Sequence, residues 1–297
     1  MHASRNTLLI GLCAALLTGC GGGSGGSGSS RTGDLTLRVT DAPVDSATAV
    51  VVEFTGVELR GASNQTFHFD SPRQIDLLAL TGGENEILLE GVRLPAGRYN
   101  QLRLLINAGE HASDSYIAFE DGTTHPLHIP SGAQTGLKLV NGFTVPAGGS
   151  ADFTVDFDLR KSVTKPKGQN GVYFLRPTLR LVDSSEAGAV AGTVAMELAT
   201  AAGCEPAVYV YTGADAAVDD VGSGSEPLSS AQVELEPGSG EYSYRVAYLE
   251  PGEYTAAFTC AAGHDDPEQD DEIVFFGASN ATVARGQTAR VDFAITE

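Results

Sequence analysis

Basic side chains are scarce in this chain: 18 Lys and Arg stand against 38 Asp and Glu, for a net charge of −20. That balance excludes nucleic acid as a partner, because affinity for phosphates is carried by Lys and Arg. A bare anionic membrane surface would repel the chain for the same reason. Long apolar runs are also missing. After the first twenty residues no stretch approaches the roughly eighteen consecutive apolar residues of a membrane-spanning helix. Outside the Gly/Ser stretch of residues 21–30 the G-x-S-x-G, HExxH, GxGxxG and P-loop patterns are absent, as is any CxxC pair, so no motif predicts catalysis. Convincing amphipathic helices are few, and only "QIDLLALTGG", Gln74 to Gly83, suggests a helical turn.

The first thirty residues have a different character. Met1 to Asn6 is polar with Arg5 as its basic residue, Leu8 to Leu17 is apolar, and "LTGC" follows, ending at Cys20. The apolar run is too short to cross a bilayer and suits the core of a signal peptide. Leu17-Thr18-Gly19-Cys20 resembles the bacterial lipobox. The resemblance implies a signal peptide over 1–19, cleavage before Cys20, a diacylglyceryl thioether on its sulfur and attachment to a membrane through that lipid. Gly21 to Ser30 contains only Gly and Ser. With its flanks, residues 20–33, it forms a linker of about 20 Å as a flexible coil. Gly21 after the cysteine, where an Asp would signal retention, favours the outer membrane of a Gram-negative envelope.

The remainder alternates with the period of a β-strand. "DLTLRVT" places Leu35, Leu37 and Val39 on one face, and "QLRLLI" does the same with Leu102, Leu104 and Ile106. "DFTVDFDL" sets Phe153, Val155 and Phe157 against Asp152, Thr154, Asp156 and Asp158. Many short strands punctuated by Gly, Pro and Asn predict an all-β fold of sandwich or barrel type. The two halves echo one another. "VRLPAGRYNQLRLLI" (92–106) is matched by "AYLEPGEYTAAFTC" (247–260), and "FTVPAGGSADFTVDFDL" (143–159) by "ATVARGQTARVDFAI" (281–295). Hairpins of the form L-x-P-G-x-Y resemble those of transthyretin-like and carboxypeptidase-regulatory-like sandwiches in secreted bacterial proteins. That implies tandem sandwiches of immunoglobulin or transthyretin type.

A second resemblance covers residues 34–183. "LRVTDAPVDSATAVVVEFTGVEL" (37–59), "LPAGRYNQLRL" and the closing "RPTLRLV" (176–182) resemble domain-of-unknown-function family 4382 of bacteria and archaea. Membership implies a β-sandwich on a surface lipoprotein, with no established activity and no functional residues to carry over.

Charge divides the chain at the end of that segment. Residues 1–183 carry 18 acidic and 15 basic side chains, whereas residues 184–297 carry 20 and 3. The break predicts a boundary near Asp183 and an acidic second sandwich over 188–297. Four cysteines are present. Cys13 leaves with the signal peptide and Cys20 takes the lipid, so Cys204 and Cys260 are expected to pair in an exported protein.

"GHDDPEQDDE" gathers Asp265, Asp266, Glu268, Asp270, Asp271 and Glu272. Its two readings are a solvated acidic loop and a Ca²⁺ site, and its spacing does not fit an EF-hand. "GADAAVDDVGSGSE" (213–226) is a second acidic loop with the same two readings. His68, His111, His125 and His128 lack the convergent carboxylate or cysteine of a zinc site and read as surface residues. Asp41 in "TDAPVD" reads as a turn-forming acceptor. "SVTK", Ser162 to Lys165, has the S-x-x-K form of penicillin-interacting enzymes without their S-D-N and K-T-G motifs. The sequence therefore predicts a lipid-anchored cell-envelope protein that is not an enzyme and needs no cofactor. It would be a binding, adhesive or scaffolding module for a protein or carbohydrate ligand. The alternatives are a Ca²⁺-responsive surface module and a hydrolase with a dispersed site.

Overall fold

The computed structural model describes residues 31–42, 47–108, 114–129, 136–165, 171–176 and 178–295. Cys20, its signal peptide and most of the Gly/Ser linker lie outside the described residues, as does His111. Thirteen strands make the first half: β1 Thr32–Ala42, β2 Ala47–Gly61, β3 Asn64–Asp76, β4 Glu86–Pro95, β5 Gly97–Asn107, β6 Tyr116–Phe119, β7 Thr124–His128, β8 Leu137–Leu139, β9 Phe143–Val145, β10 Ser150–Asp158, β11 Val163–Thr164, β12 Tyr173–Leu175 and β13 Thr178–Asp183. They form a four-stranded sheet, β13-β10-β1-β4, and a nine-stranded sheet whose path is β11-β12-β7-β6-β2-β5-β8, with β3 added on β2 and β9 on β5.

The expected apolar faces meet between these sheets. Leu35, Leu37 and Val39 of β1 and Phe157 of β10 pack with Phe54 of β2 and Leu102, Leu104 and Ile106 of β5. Phe54 and Phe157 touch edge to face across the sandwich, with ring centroids 6.3 Å apart. Burial of such side chains is the main favourable term holding the sheets together. "QIDLLALTGG" does hold a helical turn, a 3₁₀ segment over Leu77–Gly83, whose first N–H groups are capped by Asp76: its carboxylate accepts from the Leu78 N–H at 3.2 Å.

The second half forms β14 Gly188–Val194, β15 Ala207–Thr212, β16 Ser229–Gln232, β17 Glu234–Leu235, β18 Tyr242–Leu249, β19 Gly252–Thr259, β20 Phe275–Val283 and β21 Thr288–Arg290. Two four-stranded sheets, β17-β18-β14-β21 and β16-β15-β19-β20, enclose a core of Val190, Val208, Val210, Val246, Ala256, Phe258 and Phe293. Cys204 and Cys260 are disulfide-bonded with Cα atoms 4.4 Å apart, joining the segment before β15 to the end of β19. Among the described residues no sheet is shared between the two sandwiches. The segment joining β13 to β14 is tied down at both ends. Ser184 N–H donates to the Asp152 carbonyl at 2.9 Å, and Glu186 pairs with Arg285 at 3.0 Å.

The sequence echoes correspond to one topology used twice. β1 is flanked by β4 antiparallel and β10 parallel, and β14 by β18 antiparallel and β21 parallel. In each sandwich a Pro- and Gly-containing turn then carries the chain into the opposite sheet, from β4 to β5 and from β18 to β19. The two strands so joined do not pair with each other, so where the sequence suggested hairpins the structure has crossings between the two layers. The tyrosine near the start of the strand after each turn donates its hydroxyl to the carbonyl four residues back: Tyr99 to Pro95 at 3.0 Å and Tyr254 to Glu250 at 2.7 Å. This is the tyrosine-corner arrangement of β-sandwiches. Where the parallel strand (β10 or β21) enters beside the first, Gly33 and Gly188 hold equivalent places. A Cβ on Gly33 would sit 2.2 Å from the Pro146 carbonyl oxygen, and one on Gly188 2.6 Å from that of Gln287. Only glycine admits backbone at that distance.

One strand departs from its alternating pattern. Thr154, Asp156 and Asp158 form the polar face of β10, yet they are buried like their apolar neighbours. The second sandwich covers this face. Asp41 and Asp156 share a narrow crevice with Ser229, Ser230, Val246 and Tyr248. Tyr248 donates to the Gly83 carbonyl at 3.2 Å and accepts from the Asn85 side chain at 3.0 Å.

Candidate functional site

The joint between the sandwiches is built around a two-residue step in the sequence. Asp158 caps a single helical turn, α1 Leu159–Ser162, by accepting from the Lys161 N–H at 3.3 Å. The turn projects Arg160 and Lys161 toward the second sandwich. Arg160 is 3% exposed. It donates to the Ala262 carbonyl at 2.9 Å and the Ser230 hydroxyl at 3.3 Å, and its guanidinium lies 5.3 Å from the Tyr209 ring centroid. Lys161 donates to the Pro227 carbonyl at 2.6 Å and pairs with Glu226 at 2.9 Å. Behind them the carboxyls of β10 sit in a poorly solvated environment. Burial pushes Asp158 up to about 6 against the opposing pull of Lys161. It also raises Asp156, which pairs with Arg180. Asp41, expected to form a turn, accepts from the Leu159 N–H at 3.3 Å and so helps to seat α1.

The two acidic loops, separate in the sequence, are adjacent in space. Both fold over the outer face of the β16-β15-β19-β20 sheet, where Tyr209, Tyr211 and Ala257 pack with Val221 and Ala262. Gly222 lets them touch: at φ +101° its missing Cβ would lie 2.3 Å from the Gln269 carbonyl oxygen. Five carboxylates come together as two triads, Asp219–Asp220–Asp270 and Asp220–Asp265–Asp271, with one oxygen from each member lying within 4.8 Å of the others. Asp220 is completely buried. Its Oδ2 accepts from the Asp271 N–H at 2.7 Å, and its Oδ1 has no hydrogen-bond partner. Asp265 accepts from the Tyr209 hydroxyl at 2.5 Å and from the Val221 N–H at 3.2 Å. Burial raises the carboxyls of both Asp220 and Asp265.

Of the six residues that the sequence singled out, Asp265, Asp270 and Asp271 join these triads. The other three are used differently. Asp266 accepts from the Glu268 N–H at 3.0 Å within its own turn, Glu268 pairs with Arg176 at 3.3 Å, and Glu272 is exposed. Asp219 and Asp220 come from the second acidic loop. No local pattern marks which of its carboxylates is buried.

Residues 32–177 match the family described as Domain of unknown function (DUF4382). This segment is a DUF4382 domain. The strand β13 lies beyond the matched residues yet completes the same sheet through β10. No curated protein matches the chain. Among solved structures the chain is similar to the TIE protein of Bacillus anthracis, with 10% identity over 88% of this chain and 33% of that one at a TM-score of 0.21. It is similar to a leucine-rich repeat protein of Bacteroides thetaiotaomicron, with 12% identity over 90% and 26% at 0.21. It is also similar to GBS52, the minor pilin of Streptococcus agalactiae, with 10% identity over 87% and 94% at 0.19. The chain spans about a third and a quarter of the first two proteins. Likeness at these TM-scores carries no argument about function.

The DUF4382 domain holds the described histidines that the sequence picked out. His68 is exposed on β3. His125 packs on Phe119 and Tyr173, and His128 on Phe174, so the three do not converge. Ser162 of the S-x-x-K pattern is buried, donating to the Asp158 carbonyl at 2.5 Å and accepting from the Thr178 N–H at 2.9 Å. Those bonds hold its hydroxyl in the fold, and Lys165 lies instead over the Tyr173 ring at 5.7 Å. The DUF4382 domain also forms one wall of a cleft of about 560 Å³. Phe119, Glu120 and Asp121 face Glu205, Pro206, Gln232 and Glu234 of the second sandwich across it.

Proposed function

We propose that this chain is a lipid-anchored binding module of the cell envelope, held by Cys20 and presenting two docked sandwiches to a partner without carrying out a reaction. The observation that carries the reading is the Cys204–Cys260 bond. Structural disulfides persist in oxidising compartments outside the cytosol, in agreement with the signal peptide and lipobox read from the sequence. The cleft between the sandwiches is the surface assigned to binding. Its size and its place at a module boundary suit a ligand site, and its walls carry Glu120, Asp121, Glu205 and Glu234 beside Phe119.

Two experiments test this. In the first, Cys20→Ala moves the protein from the membrane to the soluble fraction and abolishes incorporation of labelled palmitate. A variant that stays lipidated and membrane-bound overturns the anchor. In the second, a photo-crosslinking residue replaces Gln232 in the cleft of the cell-borne protein and captures a discrete envelope component that the same residue at exposed Val140 does not. Identical or absent crosslinks at both positions overturn the cleft assignment.

A further inference from the structure

The junction of the acidic loops leaves a buried negative charge uncompensated. Two oxygens held by one calcium ion at about 2.4 Å can be at most twice that distance apart, and the carboxylates of Asp220, Asp265 and Asp271 meet that limit. Asp220 belongs to both triads, is completely buried, and has an Oδ1 with no hydrogen-bond partner. A buried carboxylate oxygen without a donor is strongly disfavoured in its charged form unless a cation compensates it or a proton neutralises it. Arg160 is the basic side chain whose charge reaches Asp265, and its guanidinium is already engaged by Ala262, Ser230 and the Tyr209 ring. The charge felt by Asp220 from its neighbour Asp219 is of the same sign.

We propose that Asp220, Asp265 and Asp271 bind one calcium ion, with Asp219 and Asp270 closing its exposed side. The donors are all carboxylate oxygens, the choice of a hard cation. They come from two irregular loops, which suits the variable geometry of Ca²⁺ better than the strict octahedron of Mg²⁺. The ion ties the 213–228 loop to the 262–274 loop above Tyr209 and Tyr211. Because Tyr209 both donates to Asp265 and carries Arg160 on its face, the ion also braces the surface on which the first sandwich docks. The site does not depend on the lipid anchor or on the cleft.

The test uses the full chain. The chain has no tryptophan, and Tyr209 lies one hydrogen bond from a ligand, so terbium bound here is sensitised by tyrosine. The expected result is saturable luminescence displaced by calcium, together with a melting midpoint several degrees higher in millimolar calcium than in EDTA, as mass action requires. Asp220→Asn removes both effects and melts in EDTA no lower than the wild type, because the substitution discharges an unpaired buried group. Glu272→Gln keeps both effects. Should Asp220→Asn fail to fold, Asp271→Asn, at a half-buried position, must lose both signals. Luminescence and a calcium shift that survive these aspartate substitutions would show diffuse counterion binding and overturn the site, as would no response in the wild type.

Discussion

Arg160 lies over the ring of Tyr209 at 5.3 Å, and this contact joins the two sandwiches through side chains 49 positions apart in the chain. The guanidinium is buried and also donates to Ala262 and Ser230. Arg160→Ala is expected to destabilise the protein by about 2–4 kcal/mol, since it strands a buried carbonyl and removes a desolvated cation–π contact. Arg160→Lys recovers only part of this, because an ammonium cannot reproduce the planar fork. Urea denaturation of the three forms measures the difference, and an Arg160→Ala midpoint equal to wild type would refute the role.

Asp158 predicts an unusual pH response. Its folded-state pKa, about 6, lies above the ordinary 3.8 because of burial. Between about pH 4 and pH 6 the native state therefore holds a proton that the unfolded chain has lost, and stability falls as pH rises through that window. The loss from this group is on the order of 3 kcal/mol and persists above pH 6. Asp158→Asn keeps an N-cap acceptor for the Lys161 N–H and should flatten the slope, leaving the variant more stable than wild type at pH 7. Denaturation at a series of pH values decides it: parallel curves for the two proteins would exclude Asp158 as the source.

The disulfide closes a loop with a sequence separation of 56. In the chain-entropy model this constrains the unfolded state by about 4 kcal/mol. The Cys204→Ser, Cys260→Ser double variant should lose that amount in the second sandwich, read as a lower calorimetric midpoint. No change in midpoint would mean that the acidic sandwich is held by its core alone.

The paired tyrosine corners invite a matched comparison. Tyr254→Phe removes the bond to Glu250 and should cost about 1 kcal/mol. Tyr99→Phe should cost somewhat more, since the Tyr99 hydroxyl also bonds Ser63 Oγ at 2.9 Å besides donating to Pro95. Equal denaturation midpoints for Tyr254→Phe and wild type would show the corner to be energetically idle.

Much of this fold is written locally. Alternation placed Leu35, Leu37, Val39, Leu102, Leu104 and Ile106 in the core, because a strand's side chains face opposite sides with period two. The repeated Pro, Gly and Tyr turns announced two sandwiches of one design, since Pro, Gly and Tyr act within a few residues of where they stand, but whether each turn closes a hairpin or crosses to the opposite sheet was decided by the tertiary structure. The Cys204–Cys260 pair followed from the expectation of export and from setting aside Cys13 and Cys20. What the sequence by itself could not determine is which polar faces would be covered. Thr154, Asp156 and Asp158 have the pattern of a solvated face yet are buried, Asp156 beside Ser229, Ser230 and Tyr248 of the second sandwich. Asp219 and Asp220 read as one acidic loop and Asp265 to Glu272 as another. Their meeting at Asp220 is decided by how β15 and β19 bring the two loops over a single sheet face, and by the close approach at Gly222. Local pattern encodes which way a side chain points from its own strand. The identity of the surface that arrives opposite it, from residues some fifty to a hundred positions away, is a property of the assembled tertiary structure.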